Sequence, residues 1–441
     1  MEPRAVSFRD YPRLIRKNRN FRRLWMAQIV SEIGDWFYAV AVYSLLLDFT
    51  GKAQSIALAF VLQVLPQFFI APTAGVINDR LSRRRVMMFA DWMRAGIVLC
   101  MMLVRGPHLV WFLYVLLVCE TLMWALFEPA RSSVIPNIAA GDDVVVANAL
   151  SSTTWSMNFA VGFALGGLVA AHFGRDAVFA INSLSFVFSA LCIRGMNFAE
   201  PHTAAGPMRA RELVNFSPIR EGFQYVWRDS RLRTTIFVKA GLGLMGANWV
   251  LLPILGERVF PIHRAGFTAR QGGMLGMSVL MAARGLGAFV GPMSAGKWAG
   301  NSVSRMRAGI LFGFIFAGIG YVALGPSNNI WLACGALVVA HGGGSMLWVF
   351  SSTLLQLQTE DRFRGRVFSA EFAFSVITMS ASSYTAGALI DRGLTARFVA
   401  GCTGIVMVAP ALLWACALRN FERSPASVAV AGENESKRES W

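Results

Sequence analysis

The sequence predicts an all-α membrane protein: twelve transmembrane helices in two pseudo-symmetric six-helix bundles. Three observations predict it. The 441 residues are 55% hydrophobic and only 15% charged, with mean hydropathy +0.50, which is more apolar surface than a soluble core hides. Apolar runs of roughly 20 residues, enough to cross about 30 Å of hydrocarbon as helix, recur along the whole chain. Lys and Arg gather in alternate loops between those runs.

The elements follow in order. Residues 1–23 form a basic arm carrying Arg13, Arg16, Lys17, Arg19, Arg22 and Arg23, and the run after it is too long for a cleavable signal core, so the first helix is expected to stay. Runs at 24–48, 54–77, 86–104, 109–130, 150–173 and 177–196 make a first bundle, residues 24–197. A polar linker at 198–233 carries Pro201, Pro207 and Pro218. Within it, 218–228 sets Ile219, Phe223, Tyr225 and Val226 among charges, as suits a short helix lying on the membrane surface. Runs at 234–255, 271–295, 308–324, 330–354, 367–390 and 398–418 make the second bundle, 234–418, and a polar tail, 419–441, is expected to be disordered. Each run must be helical, because in lipid only a helix or a closed barrel satisfies its own backbone.

Orientation follows from the basic loops. Arg80 with Arg83, Arg84 and Arg85, the linker, Lys297 with Arg305 and Arg307, and the trio Arg362, Arg364 and Arg366 fall on the side of both termini. Retention of positive charge in the cytoplasm places both termini there, in a cell inner membrane.

Several function classes drop out. The net charge of +16 could point to nucleic acid, but no zinc, helix-turn-helix or RNA-binding signature accompanies it. Cys100, Cys119, Cys192, Cys334, Cys402 and Cys416 sit at scattered spacings inside apolar runs and read as packing residues. Neither metal nor cofactor is expected. An enzyme would want a clustered set such as HExxH or a serine–histidine pair, and ATP drive a GxxxxGK[ST] loop; neither is present. A channel would need a filter repeated by oligomerisation, which twelve unlike helices do not offer.

Ionisable side chains at mid-membrane are costly and therefore invite a functional reading. Asp35 lies 12 residues beyond Arg23, roughly 18 Å deep at about 1.5 Å per residue. Glu120, Arg284 and His341 fall near the middles of runs 4, 8 and 10. Either an acid exchanges a proton as the protein works, or Arg284 simply pairs with one acid while the other bonds Ser or Asn. His341, beside Gly342, Gly343 and Gly344, reads equally as a packing histidine. Asp91 and Arg94, three apart, are expected to pair locally near a surface.

A weak internal echo, Pro72-Thr73-Ala74-Gly75 against Pro292-Met293-Ser294-Ala295-Gly296, points to duplication of the two halves. The stretch Gly75-Val76-Ile77-Asn78-Asp79-Arg80-Leu81-Ser82-Arg83-Arg84-Arg85 resembles the signature of the major facilitator superfamily, with Ser82 in place of the usual glycine. Phe127-Glu128-Pro129-Ala130-Arg131, followed by Ala147-Asn148-Ala149-Leu150, looks like the drug and siderophore exporter branch, as do Ile181-Asn182-Ser183 and Arg364-Gly365-Arg366-Val367. Two departures stand out: Phe163 occupies the place of the antiporter-signature proline, and run 4 offers Glu120 rather than an arginine.

The resemblance implies a monomeric secondary transporter in which runs 1, 4, 7 and 10 line a central cavity. Its expected partners are a small-molecule substrate, protons and lipid. It implies a conformational latch of Gly75, Asp79, Arg80, Arg83 and Arg84, with Gly75 allowing close helix approach. Trp36, Trp249, Trp348 and Gln63 are the cavity candidates, since flat and adaptable walls suit bulky amphipathic cargo. Glu128 and Arg131, with Arg364, Arg366 and Glu371, are candidates for a cytoplasmic gate in which the two acids accept from those arginines. A lysophospholipid or metabolite carrier is the alternative within transport; a receptor or an enzyme without a recognisable motif is the alternative outside it.

Overall fold

A chain immersed in hydrocarbon must bond every backbone N–H and C=O to itself. The computed structural model, which describes residues 10–200, 217–300 and 302–423, meets that demand with helices alone among the described residues. A short surface helix α1 (Asp10–Lys17) leads into α2 (Arg19–Thr50), which Asn18 caps by accepting from the Phe21 amide and Gly51 ends at φ 64°. Then come α3 (Ala53–Arg80), α4 (Arg83–Met101), α5 (Val110–Ile138) and α6 (Asp142–Arg194). After α7 (Ser217–Arg228), the surface helix expected at 218–228, follow α8 (Ser230–Gly243) and α9 (Asn248–Ile254), which a tight turn at Leu244–Ala247 joins into one bent span ending at Val259. Helices α10 (Ala269–Ala299), α11 (Val303–Leu324), α12 (Ile330–Gln358), α13 (Asp361–Asp391), α14 (Ala396–Val406) and α15 (Val408–Arg423) complete the chain. Parts of the basic arm (1–9), the linker with Pro201 and Pro207 (201–216) and the tail (424–441) lie outside the described residues.

Ten of these helical stretches are long and apolar enough to cross a membrane. Two features separate that number from the expected twelve. Helix α6 runs 53 residues but is broken at Gly174 (φ 83°, ψ 171°), so it has two arms. Helix α4 is only 19 residues long and carries Arg83, Arg84, Arg85, Asp91 and Arg94, which lower its hydropathy.

Helices α2–α6 pack as one bundle and α8–α15 as the other, and the bundles meet chiefly where α6 lies on α10 and α3 on α13. Lipid tails are as apolar as leucine, so helix association in a membrane depends on close packing, which small residues permit. At the α6–α10 crossing a Cβ on Gly285 would stand 2.7 Å from Phe159 Cδ1 and 2.9 Å from the Ala160 Cα, a space only glycine leaves open. Outside, Trp111, Phe173, Trp331 and Leu413 are exposed, the apolar coat expected of a lipid-facing surface.

Gly285→Val is therefore expected to force α6 and α10 apart and lower stability by about 1–3 kcal/mol. Thermal unfolding of the detergent-solubilised protein measures it.

Candidate functional site

Arg94 of α4 sits at the centre of the first bundle with its side chain 1% exposed. A bare guanidinium there would be prohibitively costly, and its planar fork allows it to serve two acids at once. Nη2 donates to Asp35 Oδ1 of α2 at 2.6 Å and Nε to Glu120 Oε1 of α5 at 2.9 Å. Asp91 lies 3.9 Å away on the same helix, and the Phe186 ring covers the guanidinium at 4.0 Å. Of the two acids bonded to Arg94, Asp35 is the more accessible, at 17% against 8% for Glu120.

A second polar string runs from this centre toward the face bearing the termini. Gln28, Glu32 and Asp35, spaced i, i+4 and i+7, share one face of α2. Gln28 Nε2 donates to Glu32 Oε1 at 2.9 Å, Asn158 Nδ2 of α6 donates to Glu32 Oε2 at 2.9 Å, and Arg131 Nη1 donates to Gln28 Oε1 at 3.1 Å. Arg131 also holds Glu128 at 2.5 Å. Five carboxylates (Glu32, Asp35, Asp91, Glu120, Glu128) thus share two guanidinium groups (Arg94, Arg131), a surplus that protons or a cation can balance.

The second bundle has the opposite balance. Lys239 of α8 bonds Glu371 of α13 at 2.8 Å and Ser352 at 2.9 Å, and rests 4.0 Å over the Trp348 ring. Arg284 of α10 lies 4.3 Å from both the Phe159 and Trp249 rings. Trp249 is in turn stacked on Trp36 and Phe60, at 6.1 and 4.8 Å, so a layer of rings joins the bundles at mid-depth. His341 pairs with the Tyr321 hydroxyl at 3.0 Å, and Gln63 donates to Tyr38 at 3.2 Å. An apolar cavity of about 280 Å³ lies between α3 and α5, lined by Val61, Leu65, Pro66, Phe69 and Leu122 among others.

At the face away from the termini the bundles are fastened by charge. Asp48 of α2 bridges Arg175 of its own bundle at 2.8 Å and Arg270 of the other at 2.7 Å. Asp391, ending α13, accepts from the first amides of α3, Ala53 at 2.7 Å and Gln54 at 2.9 Å, where a helix N-terminus favours an anion. Arg258 and Gln271 reach across to the Gly51 and Ala171 carbonyls.

Two expectations from the sequence need correction. Arg284 pairs with no acid among the described residues; Arg94 takes that place, because it projects between α2 and α5 into the bundle rather than along a surface. Of the gate candidates, Glu128 and Arg131 do pair, but Glu371 is held by Lys239, while Arg366 bonds Glu221 at 2.6 Å and Arg364 donates to the Thr359 carbonyl at 3.3 Å. The candidate latch does not bridge the bundles through Asp79, whose side chain is 74% exposed and 3.9 Å from Arg83, and a Cβ on Gly75 would meet nothing within 4 Å. Arg83 and Arg84 instead donate to the Ser133 and Arg194 carbonyls of their own bundle, and Arg80 ends α3. Sequence reasoning passed over Glu32, Asn158, Asp48 and Asp391 and set Arg94 near a surface as the partner of Asp91; the i, i+4 spacing from Gln28 to Glu32 was a usable signal, and so was the depth of Arg94 within run 86–104.

A two-bundle, all-helical body that buries charge at mid-depth is the architecture of a membrane transporter of the major facilitator fold, not of an enzyme. Residues 15–435 match the family model described as transmembrane secretion effector, and the chain belongs to that family of the major facilitator superfamily. It is 26% identical over 276 residues to the uncharacterised MFS-type transporter YkuC of Bacillus subtilis, covering 60% of this chain and 64% of that one, just under two thirds. It is 29% identical over 404 residues to the multidrug efflux pump Tap of Mycobacterium tuberculosis, covering 87% of this chain and 91% of that one. The crystal structure of the nucleoside transporter NupG superposes with a TM-score of 0.70 at 11% identity over 90% of this chain and 98% of that one, which establishes likeness of fold.

Arg94→Leu leaves Asp35 and Glu120 without their counter-charge and is expected to cost about 3–5 kcal/mol of stability. The loss should shrink as pH falls, since protonated carboxyl groups need no counter-ion. Unfolding midpoints across a pH series, with Arg94→Lys as a partial rescue, check both statements.

Proposed function

We propose that the protein is a proton-coupled exporter of amphipathic small molecules that works as a monomer by alternating access. The observation that carries this reading is the sharing of Arg94 between Asp35 and Glu120, with Asp35 the more accessible. One guanidinium that can hold either acid, or release one to a proton, supplies an exchangeable site at a depth where any other charge change would be costly. The string Glu128–Arg131–Gln28–Glu32 offers protons a polar route from the face of the termini. Similarity to a pump named for multidrug efflux favours export of cargo over uptake.

In this reading the chain makes twelve passes, six in residues 24–197 and six in 234–418, in a cell inner membrane with both termini cytoplasmic. Helix α4 and the two arms of α6 count as passes. The closed face is then extracytoplasmic, and the face where residues bond within their own bundle opens to the cytoplasm to load, with Trp36, Trp249, Trp348 and Gln63 as the residues that would line the opened cavity. Asp391 on the N-terminus of α3 holds this state. Asp79, at the other end of α3, would do the same at the start of α13 when the bundles rock over, which is the latch the sequence resemblance implies. The apolar cavity between α3 and α5 favours, as a second reading, a cargo with an acyl chain such as a lysophospholipid.

In proteoliposomes with an imposed pH gradient, Asp35→Asn and Glu120→Gln are each expected to abolish gradient-driven dye accumulation while leaving dye exchange at equal pH. Undiminished gradient-driven flux in both variants would sink proton coupling through these acids, and faster passage of spin-labelled lysolipid than of dye would favour the second reading. Asp391→Ala removes a cap worth about 1 kcal/mol, or about fivefold in population. It should raise the rate at which an impermeant maleimide reaches Ala57→Cys, buried between α3 and α13, by about that factor.

A further inference from the structure

Arg284 differs from Arg94, Arg131 and Lys239 in having no carboxylate partner among the described residues. Its Nε is buried without an acceptor, and so is the indole N–H of Trp249, a side chain 7% exposed whose ring lies 4.3 Å from the guanidinium. Of the polar groups next to it, Tyr321 and His341 are bonded to each other, and Tyr43 offers a hydroxyl rather than a carboxylate. Two unspent donors and a positive charge therefore lie side by side in the interior. Buried donors left in this condition are unfavourable, and an anionic oxygen relieves them best.

The surroundings define the rest of the ligand. Trp36 and Phe159 from the first bundle and Trp249 from the second provide flat apolar walls. The acids Glu32 and Asp35 lie on the α2 side, where they repel an anion and so orient it toward α10. We propose that Arg284 and the Trp249 indole N–H form a subsite for the carboxylate of a flat aromatic cargo. This rests on the export reading above for the view that the cavity holds cargo. A cargo seated there has its carboxylate on α9 and α10 and its ring against Trp36 and Phe159, so it touches both bundles and its arrival and departure are felt at the contact that must open.

Equilibrium dialysis of the purified protein in nanodiscs, with no gradient, against 2-naphthoate, 2-naphthamide and 2-naphthylmethylammonium decides it. The parent should bind naphthoate about tenfold more tightly than the amide, and the cation most weakly. Arg284→Gln should erase the difference between naphthoate and amide, and Arg284→Lys should keep the ranking. Trp249→Phe, which preserves the ring and removes the N–H, should weaken naphthoate about threefold and the amide less, narrowing the difference between them; it serves if Arg284→Gln does not fold. Equal binding of the three probes, preference for the cation, absence of binding, or an anion preference surviving Arg284→Gln would each overturn the proposal. Failure of proton coupling would show instead in the flux assays on Asp35 and Glu120, so the two readings fail separately.

Discussion

One ion cluster organises the molecule: a guanidinium in the heart of the first bundle shared by acids from two other helices. Leaving either partner of such a pair without the other is costly, so Arg94 ties α2, α4 and α5 into one register. The register fixes which face of α2 looks inward, and that face carries Gln28, Glu32 and Asp35. From a single buried arginine follow the polar string toward the termini and the exposure of Asp35 to the space between the bundles.

The two bundles are alike in outline and unlike in charge. The first concentrates acids and the second presents Lys239 and Arg284, with a layer of rings between them. Contacts between the bundles lie at that layer and at the face away from the termini, where Asp48 and Asp391 engage the opposite bundle. Residues at the other face bond within their own bundle: Arg131 to Glu128, Arg83 to the Ser133 carbonyl, Arg366 to Glu221. Ion pairs and helix-end charges are suited to such fastening because each is individually modest and can be exchanged for water at a surface.

How much of this was legible in the sequence depended on whether a signal was local. Hydropathy and loop charge carried the class and the placement of the spans, since the length of a helix in hydrocarbon is fixed by the membrane and not by tertiary context. The break at Gly174 was visible only as a polar gap between two runs, and the charges of α4 lower the hydropathy of a helix that its apolar run still marked. Depth found Asp35, Glu120, Arg284 and His341. Partnership was not legible: Arg94 and Glu120 are 26 residues apart and Arg94 and Asp35 are 59 apart, and only the packing of α2, α4 and α5 brings them together. The same holds for Asp391 and Ala53, separated by 338 positions.

The ring layer has a further consequence. Trp36, Phe60, Phe159 and Trp249 interlock where the bundles meet. Stacked indoles and phenyls offer water few partners, so the layer resists leakage between the two faces, with Arg284 and the Trp249 N–H as the polar groups beside it. In the proposed pump such a septum would limit slippage, because passage from one face to the other requires rearrangement of the whole partition.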